Sequence, residues 1–388
     1  MNLAEEQEKI VNTSEKYSFI LAGAGSGKTR VITERINKLL ETNENYKILA
    51  ITFTVKASKE LKERVNNKNI QASTFHSFCY KELIKKERNI KIEEDLPFSE
   101  KELLQVSLYK NSLFANKKPS IYGKYEDFLK SRNLMDYDDL LLNFLNKNEK
   151  EYEFDYIFID EFQDTNELQY KVLKSIISSK TILMAVGDPN QSIYSFRGAN
   201  PKIINRYIKD FKAKIFTLLN NYRSTKKIIT ASNNLIAHNN QRFKFNMVSQ
   251  NSEIGDVRVY EISDEIDENK ILNLIIEKDK EKSIGILFRN NYQSRKYAKK
   301  FKDLKNVFVL TIHQSKGLEF DTVIILGVTK ENHFNKIETS LDIEEERRIF
   351  YVAVTRAKEN LYIFTDTKLI KFLFVRETRI LKYFNFFN

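Results

Sequence analysis

The sequence is poor in cysteine, tryptophan, proline and glycine, and it lacks any long hydrophobic run. Its 388 residues include one cysteine, Cys79, which rules out an internal disulfide and a zinc site made of cysteines alone. Tryptophan is absent, and with only four prolines and ten glycines, each glycine in a motif marks unusual backbone geometry. No signal peptide opens the chain, and no apolar run approaches membrane-spanning length. We therefore expect a cytoplasmic protein without a membrane partner.

Charged residues are plentiful, and their balance is positive. Lys and Arg number 64 against 53 Asp and Glu, a net charge of +11, in a chain that is 41% hydrophobic. This composition is typical of a globular protein, and the length allows two or three domains with a sizeable core. The positive excess permits a polyanionic partner such as nucleic acid, but coding bias towards Lys and Asn gives the same excess. Charge alone leaves both explanations open.

A glycine-rich turn between a strand and a helix is the motif around which the chain is organised. Phe19–Ala22 predicts a buried strand, Val31–Leu40 has helical periodicity, and GAGSGKTR lies between them. Glycines at these positions let successive N–H groups point at an anion, to which the helix N-terminus is also attracted. Lys28 is then expected to reach the β- and γ-phosphates of a nucleotide, and the Thr29 hydroxyl to hold Mg²⁺. The alternative, an ordinary glycine turn, leaves the Lys-Thr pair unexplained.

Two carboxylates end a second buried strand, Tyr156–Ile159. Asp160 is placed to hold Mg²⁺ through water, and Glu161 to accept a proton from the attacking water. After a further strand at Thr181–Val186, Gln191 is suited to sensing the γ-phosphate. Beyond it, Tyr194 and Phe196 alternate with polar residues and could stack a nucleobase.

The remaining chain divides into a helical segment and a second α/β region. Residues from about 81 to 135 are rich in Lys and Glu and predict a small helical insertion. The second half repeats the strand and helix pattern from Ile215–Leu219 onwards without a second phosphate loop. It contains Arg223 and Arg356, and an arginine opposite a phosphate loop would stabilise charge on the γ-phosphoryl group. We expect ATP in the cleft between the two α/β units.

Nine segments in a fixed order carry a family resemblance. They are Gln7, AGAGSGKTR (Ala22–Arg30), ITFTVKAS (Ile51–Ser58), TFHSF (Thr74–Phe78), IDEFQDTNELQ (Ile159–Gln169), VGDPNQSIYSFRGA (Val186–Ala199), NYRST (Asn221–Thr225), TIHQSKGLEF (Thr311–Phe320) and EERRIFYVAVTRAK (Glu345–Lys358). Together they resemble the motifs of the UvrD/Rep family of superfamily 1 DNA helicases. The resemblance implies an α/β fold of two RecA-like P-loop NTPase domains, with parallel sheets flanked by helices, at residues 1–214 and 215–388. It also implies ATP and Mg²⁺ as cofactors, single-stranded or 3′-tailed DNA as the partner, and 3′→5′ movement.

The resemblance also implies a role for each matching residue. The residues expected to act in catalysis are Glu161, Gln191, Arg223 and Arg356. The residues expected to bind the nucleotide are Gln7, Ala22, Gly23, Ala24, Gly25, Ser26, Gly27, Lys28, Thr29, Arg30, Tyr222 and Glu319, with Thr29 and Asp160 on the metal. The residues expected along the DNA path are Phe53, Thr54, Thr74, His76, Tyr194, Phe196, Arg197, Thr311 and His313.

Three departures from the family pattern stand out. Val55 replaces an asparagine, and Phe196 replaces a tryptophan and offers a smaller stacking face. Only about twenty residues separate Arg289 from Thr311, where relatives insert the large helical subdomain called 2B. The sequence therefore predicts a compact motor in which translocation is better supported than unwinding.

A different class of function fits the same motifs. The chain also resembles small regulatory ATPase subunits that control a partner nuclease in antiviral systems of the Gabija type. A nuclease or repair factor is accordingly a candidate protein partner. A P-loop kinase of small molecules would leave the motifs after residue 186 unexplained.

Overall fold

The structure, a computed structural model, describes residues 3–65, 67–86, 89–147, 151–240, 242–261, 265–329, 332 and 340–365. By its internal contacts the chain divides into two compact units. The first contains Met1–Ala22 and Gly27–Leu218, and the second Gly23–Ser26 and Leu219–Asn388. Among the described helices, none combines the length and the apolar character needed to cross a membrane. Residues 366–388 of the predicted second domain lie outside the described part of the chain.

The first unit is built on a six-stranded parallel sheet in the order β3-β2-β4-β5-β1-β6. Its strands are β1 (Tyr17–Ala22), β2 (Ile48–Ile51), β3 (Ile70–Ser73), β4 (Tyr156–Ile159), β5 (Ile182–Gly187) and β6 (Lys214–Leu218). All four residues of β4 are buried, because helices cover both faces of a parallel sheet. The carboxyl ends of β1, β4 and β5 lead into the glycine-rich turn, the Asp160–Glu161 pair and Asp188.

The helices of the first unit either pack on a face of this sheet or belong to the segment between β3 and β4. They are α1 (Glu5–Val11), α2 (Lys28–Thr42), α3 (Val55–Val65), α4 (Phe75–Ile84), α5 (Glu100–Asn111), α6 (Tyr122–Ser131), α7 (Tyr137–Lys147), α8 (Glu167–Ser175) and α9 (Lys202–Phe211). Alternate strand residues such as Ile20 and Phe158 share one core cluster with Val31 and Ile36 of α2. Phe19, on the opposite face of β1, contacts the ring of Tyr207 on α9. This alternation follows from the two-residue period of a strand.

Helices α5, α6 and α7 lie between β3 and β4 and hold a buried lysine. Lys110 Nζ on α5 lies 2.8 Å from Asp136 Oδ2, 2.7 Å from Asp139 Oδ1 and 3.1 Å from Glu126 Oε1. Burial alone would lower the pKa of Lys110, but the charges of Asp136 and Asp139 outweigh it and raise the pKa. Because removing one partner would leave a buried charge uncompensated, this cluster ties the three helices together.

The second unit is built on a five-stranded parallel sheet in the order β11-β10-β12-β13-β9. Its strands, with a separate short pair β7 and β8, are β7 (Asn220–Asn221), β8 (Val248–Ser249), β9 (Asp256–Glu261), β10 (Ile284–Phe288), β11 (Val307–Thr311), β12 (Phe320–Val328) and β13 (Ala357–Thr365). Its helices are α10 (Lys226–Ile236), α11 (Glu265–Lys278), α12 (Asn291–Lys300) and the last, here α13 (Ser340–Val354). Two parallel sheets flanked by helices confirm the predicted α/β class with two RecA-like domains.

One strand belongs to a different sheet from the one expected. The predicted division after residue 214 assigns Ile215–Leu219 to the second domain, but β6 pairs in parallel with β1 of the first sheet. Ser18 is in register with Lys214 and Ala22 with Leu218. The strand follows α9 directly, and this helix returns the chain to the open edge of β1, so a short crossover favours the first sheet.

Candidate functional site

The glycine-rich turn joins β1 to α2 and leaves the helix N-terminus suited to an anion. Gly27 precedes α2 with φ of 85°, a left-handed conformation that side chains disfavour. A Cβ on Gly27 would also lie 2.9 Å from Nε2 of Gln7, so this glycine brings the predicted adenine-reading residue close to the loop. The first turn of α2 contains no acidic residue, which leaves its partial positive charge uncompensated by the helix itself.

The preceding segment, Gly23–Ser26, makes its contacts within the second unit. Asn221 Nδ2 donates to the Ala24 carbonyl at 2.6 Å, and the backbone N–H of Tyr222 donates to the Gly25 carbonyl at 2.9 Å. Gly25 has φ of +63°, and a Cβ there would lie 2.6 Å from Asn221 Nδ2. The glycines of the motif are therefore required both for the turn and for this close approach.

Four residues of the first unit that were predicted to bind the nucleotide, hold the metal or act in catalysis meet beside the turn. Lys28 Nζ lies 3.5 Å from Glu161 Oε2, and the Thr29 hydroxyl donates to Asp160 Oδ2 at 3.1 Å. Burial, reinforced by the charge of Glu161, raises the pKa of Asp160 to about 6. Glu161 has a left-handed backbone with φ of 52°, a strained conformation for a residue with a side chain.

The oxygens of Thr29 and Asp160 are of the type that Mg²⁺ prefers. In the described part of the chain no group of three His, Cys, Asp or Glu side chains is arranged to hold a metal. The site therefore suits a metal such as Mg²⁺ that takes two protein oxygens and completes its coordination with phosphate and water. It does not suit a metal ligated by protein side chains alone.

Gln163 connects the carboxylates to the segment after β5, and the sequence analysis did not single it out. Its Nε2 donates to Glu161 Oε2 at 2.5 Å, and its Oε1 accepts from the Asp188 N–H at 3.0 Å. A Cβ on Gly187 would lie 2.6 Å from Gln163 Oε1, so this glycine makes room for the amide. Gln163 is fully buried, and its neutral amide carried no signal of catalytic chemistry apart from its place inside the motif.

Gln191 belongs to the same hydrogen-bond network. Its Nε2 donates to Asp188 Oδ2 at 2.7 Å, and both side chains are buried. Burial raises the pKa of Asp188. The predicted γ-phosphate sensor is thus linked to Glu161 through Asp188 and Gln163.

One cavity in the first unit brings together all of the DNA-path residues predicted there. It has a volume of about 740 Å³, and both Asp160 and Glu161 also line it. The seven predicted DNA-path residues on its wall are Phe53, Thr54, Thr74, His76, Tyr194, Phe196 and Arg197. The predicted DNA-path residues of the first unit and the two carboxylates therefore line one cavity.

Aromatic rings and the cation of Arg197 line this cavity. The rings of Phe53 and Tyr194 stack with centroids 4.8 Å apart and planes at 26°. The guanidinium of Arg197 lies 5.6 Å from the centroid of Phe196, a ring that is 43% exposed. Burial lowers the pKa of His76 to about 4, so its imidazole is neutral at pH 7. These groups offer stacking surfaces and a phosphate-binding cation.

The two predicted threonines also have structural roles. Thr54 Oγ1 accepts from the Ala57 N–H at 3.1 Å at the start of α3, and Thr74 Oγ1 accepts from the Ser77 N–H at 3.1 Å at the start of α4. Each threonine therefore stabilises a helix N-terminus as well as lining the cavity.

Within the second unit, the predicted arginines lie close together. Arg223 Nε donates to Glu319 Oε2 at 2.7 Å, and its Nη1 donates to the Thr355 carbonyl at 3.2 Å. Although burial opposes it, the charge of Arg223 lowers the pKa of Glu319. Arg356 is 2% exposed and donates from Nε to the Val352 carbonyl at 2.9 Å. Tyr222 exposes 46% of its surface, as a stacking ring would.

The remaining predicted residues are divided between the two units. The Thr311 hydroxyl accepts from the Gln314 N–H at 3.2 Å, and Thr311 is buried. His313 is half-buried. Arg30 is half-buried on α2, and Ala22 is the last residue of β1. The nucleotide and DNA roles of these residues stay predictions.

Family models match both units of the chain. The model of the AAA domain matches residues 7–197, and that of the UvrD-like helicase C-terminal domain matches residues 216–305 and 298–368. A Staphylococcus epidermidis protein, ATP-dependent DNA helicase PcrA, is 35% identical over 354 residues, which cover 76% of this chain and 49% of that protein. The Staphylococcus aureus protein of the same name is 34% identical over 351 residues, 75% of this chain and 48% of its own length.

The fold and the phosphate loop define a P-loop NTPase of two RecA-like domains. Two family matches in succession, together with the PcrA similarity, narrow this class further. The chain belongs to the UvrD/Rep-type family of superfamily 1 helicases. It spans about half the length of the curated relatives that it matches.

Proposed function

We propose that the chain is an ATP-driven motor that moves 3′→5′ along single-stranded DNA. The observation that carries this proposal is the cavity in which stacking rings and Arg197 share a wall with Asp160 and Glu161. A motor needs its strand-binding groups and its hydrolytic groups mechanically connected. Gln163, Asp188 and Gln191 supply a buried hydrogen-bonded connection from Glu161 to the segment that carries Tyr194. Because the proposed substrate is DNA, we also propose a cytoplasmic location.

The residues beside the phosphate loop support in-line hydrolysis of the γ-phosphate. Lys28, 3.5 Å from Glu161 in the structure, would turn to the β- and γ-phosphates, and Glu161 would then accept the proton of the attacking water. That water bonds to the γ-phosphorus as the bond to the ADP oxygen breaks. Bound Mg²⁺, held by Thr29 and Asp160, would neutralise part of the phosphate charge.

Residues of the second unit complete the proposed nucleotide site. Arg223 and Arg356 would stabilise the charge that develops on the γ-phosphoryl group, and Gln191 would sense its presence. Tyr222 would stack on the adenine, Gln7 would read its edge, and Glu319 would lie near the sugar. Because Glu319 holds Arg223 at 2.7 Å in the structure, nucleotide binding would exchange this ion pair for one with phosphate.

The cavity supports binding through base stacking more than base reading. Phe53 and Tyr194 are in ring contact, so a base stacks on an outer face or enters only when the two rings separate. Stacking is available to every base, which suits movement along any sequence. Thr311 and His313 would continue the path along the second unit.

The decisive experiment measures ATP hydrolysis with no nucleic acid, with single-stranded DNA, with duplex DNA and with RNA. The proposal expects strong stimulation by single-stranded DNA and little by duplex alone. Glu161→Gln serves as the inactive control. Hydrolysis that ignores DNA would remove the motor proposal and favour the regulatory ATPase, for which co-purification of a nuclease partner is the matching test.

A further inference from the structure

The segment that bears Phe196 and Arg197 buries none of its own side chains. Ser195–Arg197 forms a single 3₁₀ turn, and Phe196 exposes 43% of its surface. Because the turn has no buried side chain, the contacts of its flanks contribute to its position. The flank after it is Gly198, with φ of +84°.

Gly198 lies against two asparagines from different helices. A Cβ built on it would lie 3.4 Å from Cβ of Asn111, the last residue of α5, and 3.8 Å from Cβ of Asn166, which precedes α8. The same Cβ would lie 3.8 Å from Cδ2 of Leu108, so Gly198 lies beside α5 and the start of α8 with room for little more than a methyl group.

The two asparagines are hydrogen-bonded to each other and to their own helices, and Asn111 also bonds the carboxyl of Asp138 on α7. Asn166 Nδ2 donates to Asn111 Oδ1 at 2.8 Å, in a buried position. Asn166 Oδ1 accepts the Gln169 N–H at 2.8 Å and so caps α8 directly after the catalytic carboxylate segment. Asn111 Nδ2 donates to Ser107 Oγ at 3.0 Å, one turn earlier on α5. The amide pair therefore joins the helical insertion to the start of α8.

We propose that Asn111 is a positioning residue that holds the Ser195–Arg197 turn, and with it Phe196 and Arg197, in the geometry that binds single-stranded DNA. The DNA part of this inference rests on the proposed function. It assigns the helical insertion a role in strand binding through Asn166 and Gly198. A buried amide pair suits that role, since losing one partner leaves the other unsatisfied and lets the joined elements separate.

The test uses the absence of tryptophan from the sequence. Phe196→Trp introduces the chain's single tryptophan on the turn itself, and time-resolved anisotropy then measures its local motion without DNA. Asn111→Leu keeps the size of the side chain but cannot hydrogen-bond. Asn143→Leu is the matched control, because Asn143 is a half-buried amide of α7 that contacts only the sulfur of Met135 among its described partners.

In Asn111→Leu we expect greater local motion of the tryptophan and a dissociation constant for single-stranded DNA raised by about tenfold. The KM for ATP should stay within about twofold of that of the parent, because Asn111 touches no proposed nucleotide group. Asn143→Leu should change neither quantity. Unchanged motion and affinity in Asn111→Leu, or equal effects of both variants, would overturn the proposal.

A conservative variant keeps the test independent of folding. In Asn111→Asp the side chain still accepts from Asn166, but it places a second carboxyl beside Asp138. The carboxyl of Asp138 also faces Asp136 and, on α5, Lys110 and Ser107. Burial, and then the charge of Asp136, raises the pKa of Asp138 to about 7. Asn111→Asp should therefore bind like the parent at pH 6 and lose affinity at pH 8.5, whereas a pH-independent loss would contradict the bridge. If the parent protein binds no single strand, the proposed function fails, and the anisotropy still decides whether Asn111 holds the turn.

Discussion

Asp160 and Glu161 are adjacent in sequence but have different surroundings. Asp160 is bonded to the Thr29 hydroxyl, and Glu161 is held between Lys28 and the amide of Gln163. Glu161→Gln should therefore keep nucleotide binding while turnover falls by about 10² or more, since the proton acceptor is lost. Steady-state hydrolysis and binding of a fluorescent ATP analogue measure the two effects. Lys28→Ala should weaken binding as well, and wild-type turnover in Glu161→Gln would refute the role given to Glu161.

His76 and Asp138, both on the cavity wall, should change stability with pH in opposite directions. Burial lowers the pKa of His76 to about 4, whereas in the unfolded chain it is about 6.5. Between pH 6.5 and pH 4 the unfolded chain therefore binds a proton at His76 that the folded protein does not. The free energy of unfolding contributed by His76 therefore decreases as pH falls through this range. Asp138, with its pKa raised to about 7, contributes stability as pH falls below 7.

Urea unfolding at pH 7.5 and pH 5 tests both signs. His76→Gln should lose less stability between the two pH values than the wild type, and Asp138→Asn should lose more. Identical pH dependence in all three proteins would mean that neither side chain titrates as its surroundings require.

Gln163 connects the segment after β4 to the segment after β5 by hydrogen bonds, and Gly187 leaves space for its side chain. Gly187→Ala would place a Cβ 2.6 Å from Gln163 Oε1 and force the amide away from Asp188 and Glu161. We expect turnover to fall by about tenfold or more although every predicted catalytic side chain is still present. Gly123→Ala is the control, because a Cβ at Gly123 on α6 meets nothing within 4 Å. Equal activity of the two variants would show that the Gln163 connection is dispensable.

Those features of the site that depend on side-chain chemistry and local sequence pattern could be predicted from the sequence. The meeting of Lys28, Thr29, Asp160 and Glu161 could be predicted, because a phosphate loop and two strand-terminal carboxylates have few alternative uses. Their roles in hydrolysis stay predictions. Gln163 and Asn111 are neutral amides, whose importance depends on which distant groups they meet, so no local pattern indicated them. The sheet to which β6 belongs likewise depends on which strand edge is open, and strand propensity alone does not specify it.

The connection between β10 and β12 is short. The structure has only α12 and β11 between Phe288 and Phe320, apart from short loops, where relatives are expected to carry the 2B subdomain. We therefore predict weak strand separation by a lone molecule, even though DNA stimulates hydrolysis. The assay is displacement of a strand from a 3′-tailed duplex, with a trap that limits the reaction to one encounter. Rapid unwinding of tens of base pairs under these conditions would contradict the prediction.

Directional movement on a single strand is the central claim, and one measurement tests it most directly. Streptavidin is bound to a biotin at either the 5′ or the 3′ end of the same oligonucleotide, and its ATP-dependent release is timed. A 3′→5′ motor pushes streptavidin from the 5′ end and leaves the 3′ complex at the rate without protein, and Glu161→Gln should release neither. Release from the 3′ end alone would contradict the polarity, and release from neither end by an active ATPase would contradict translocation itself.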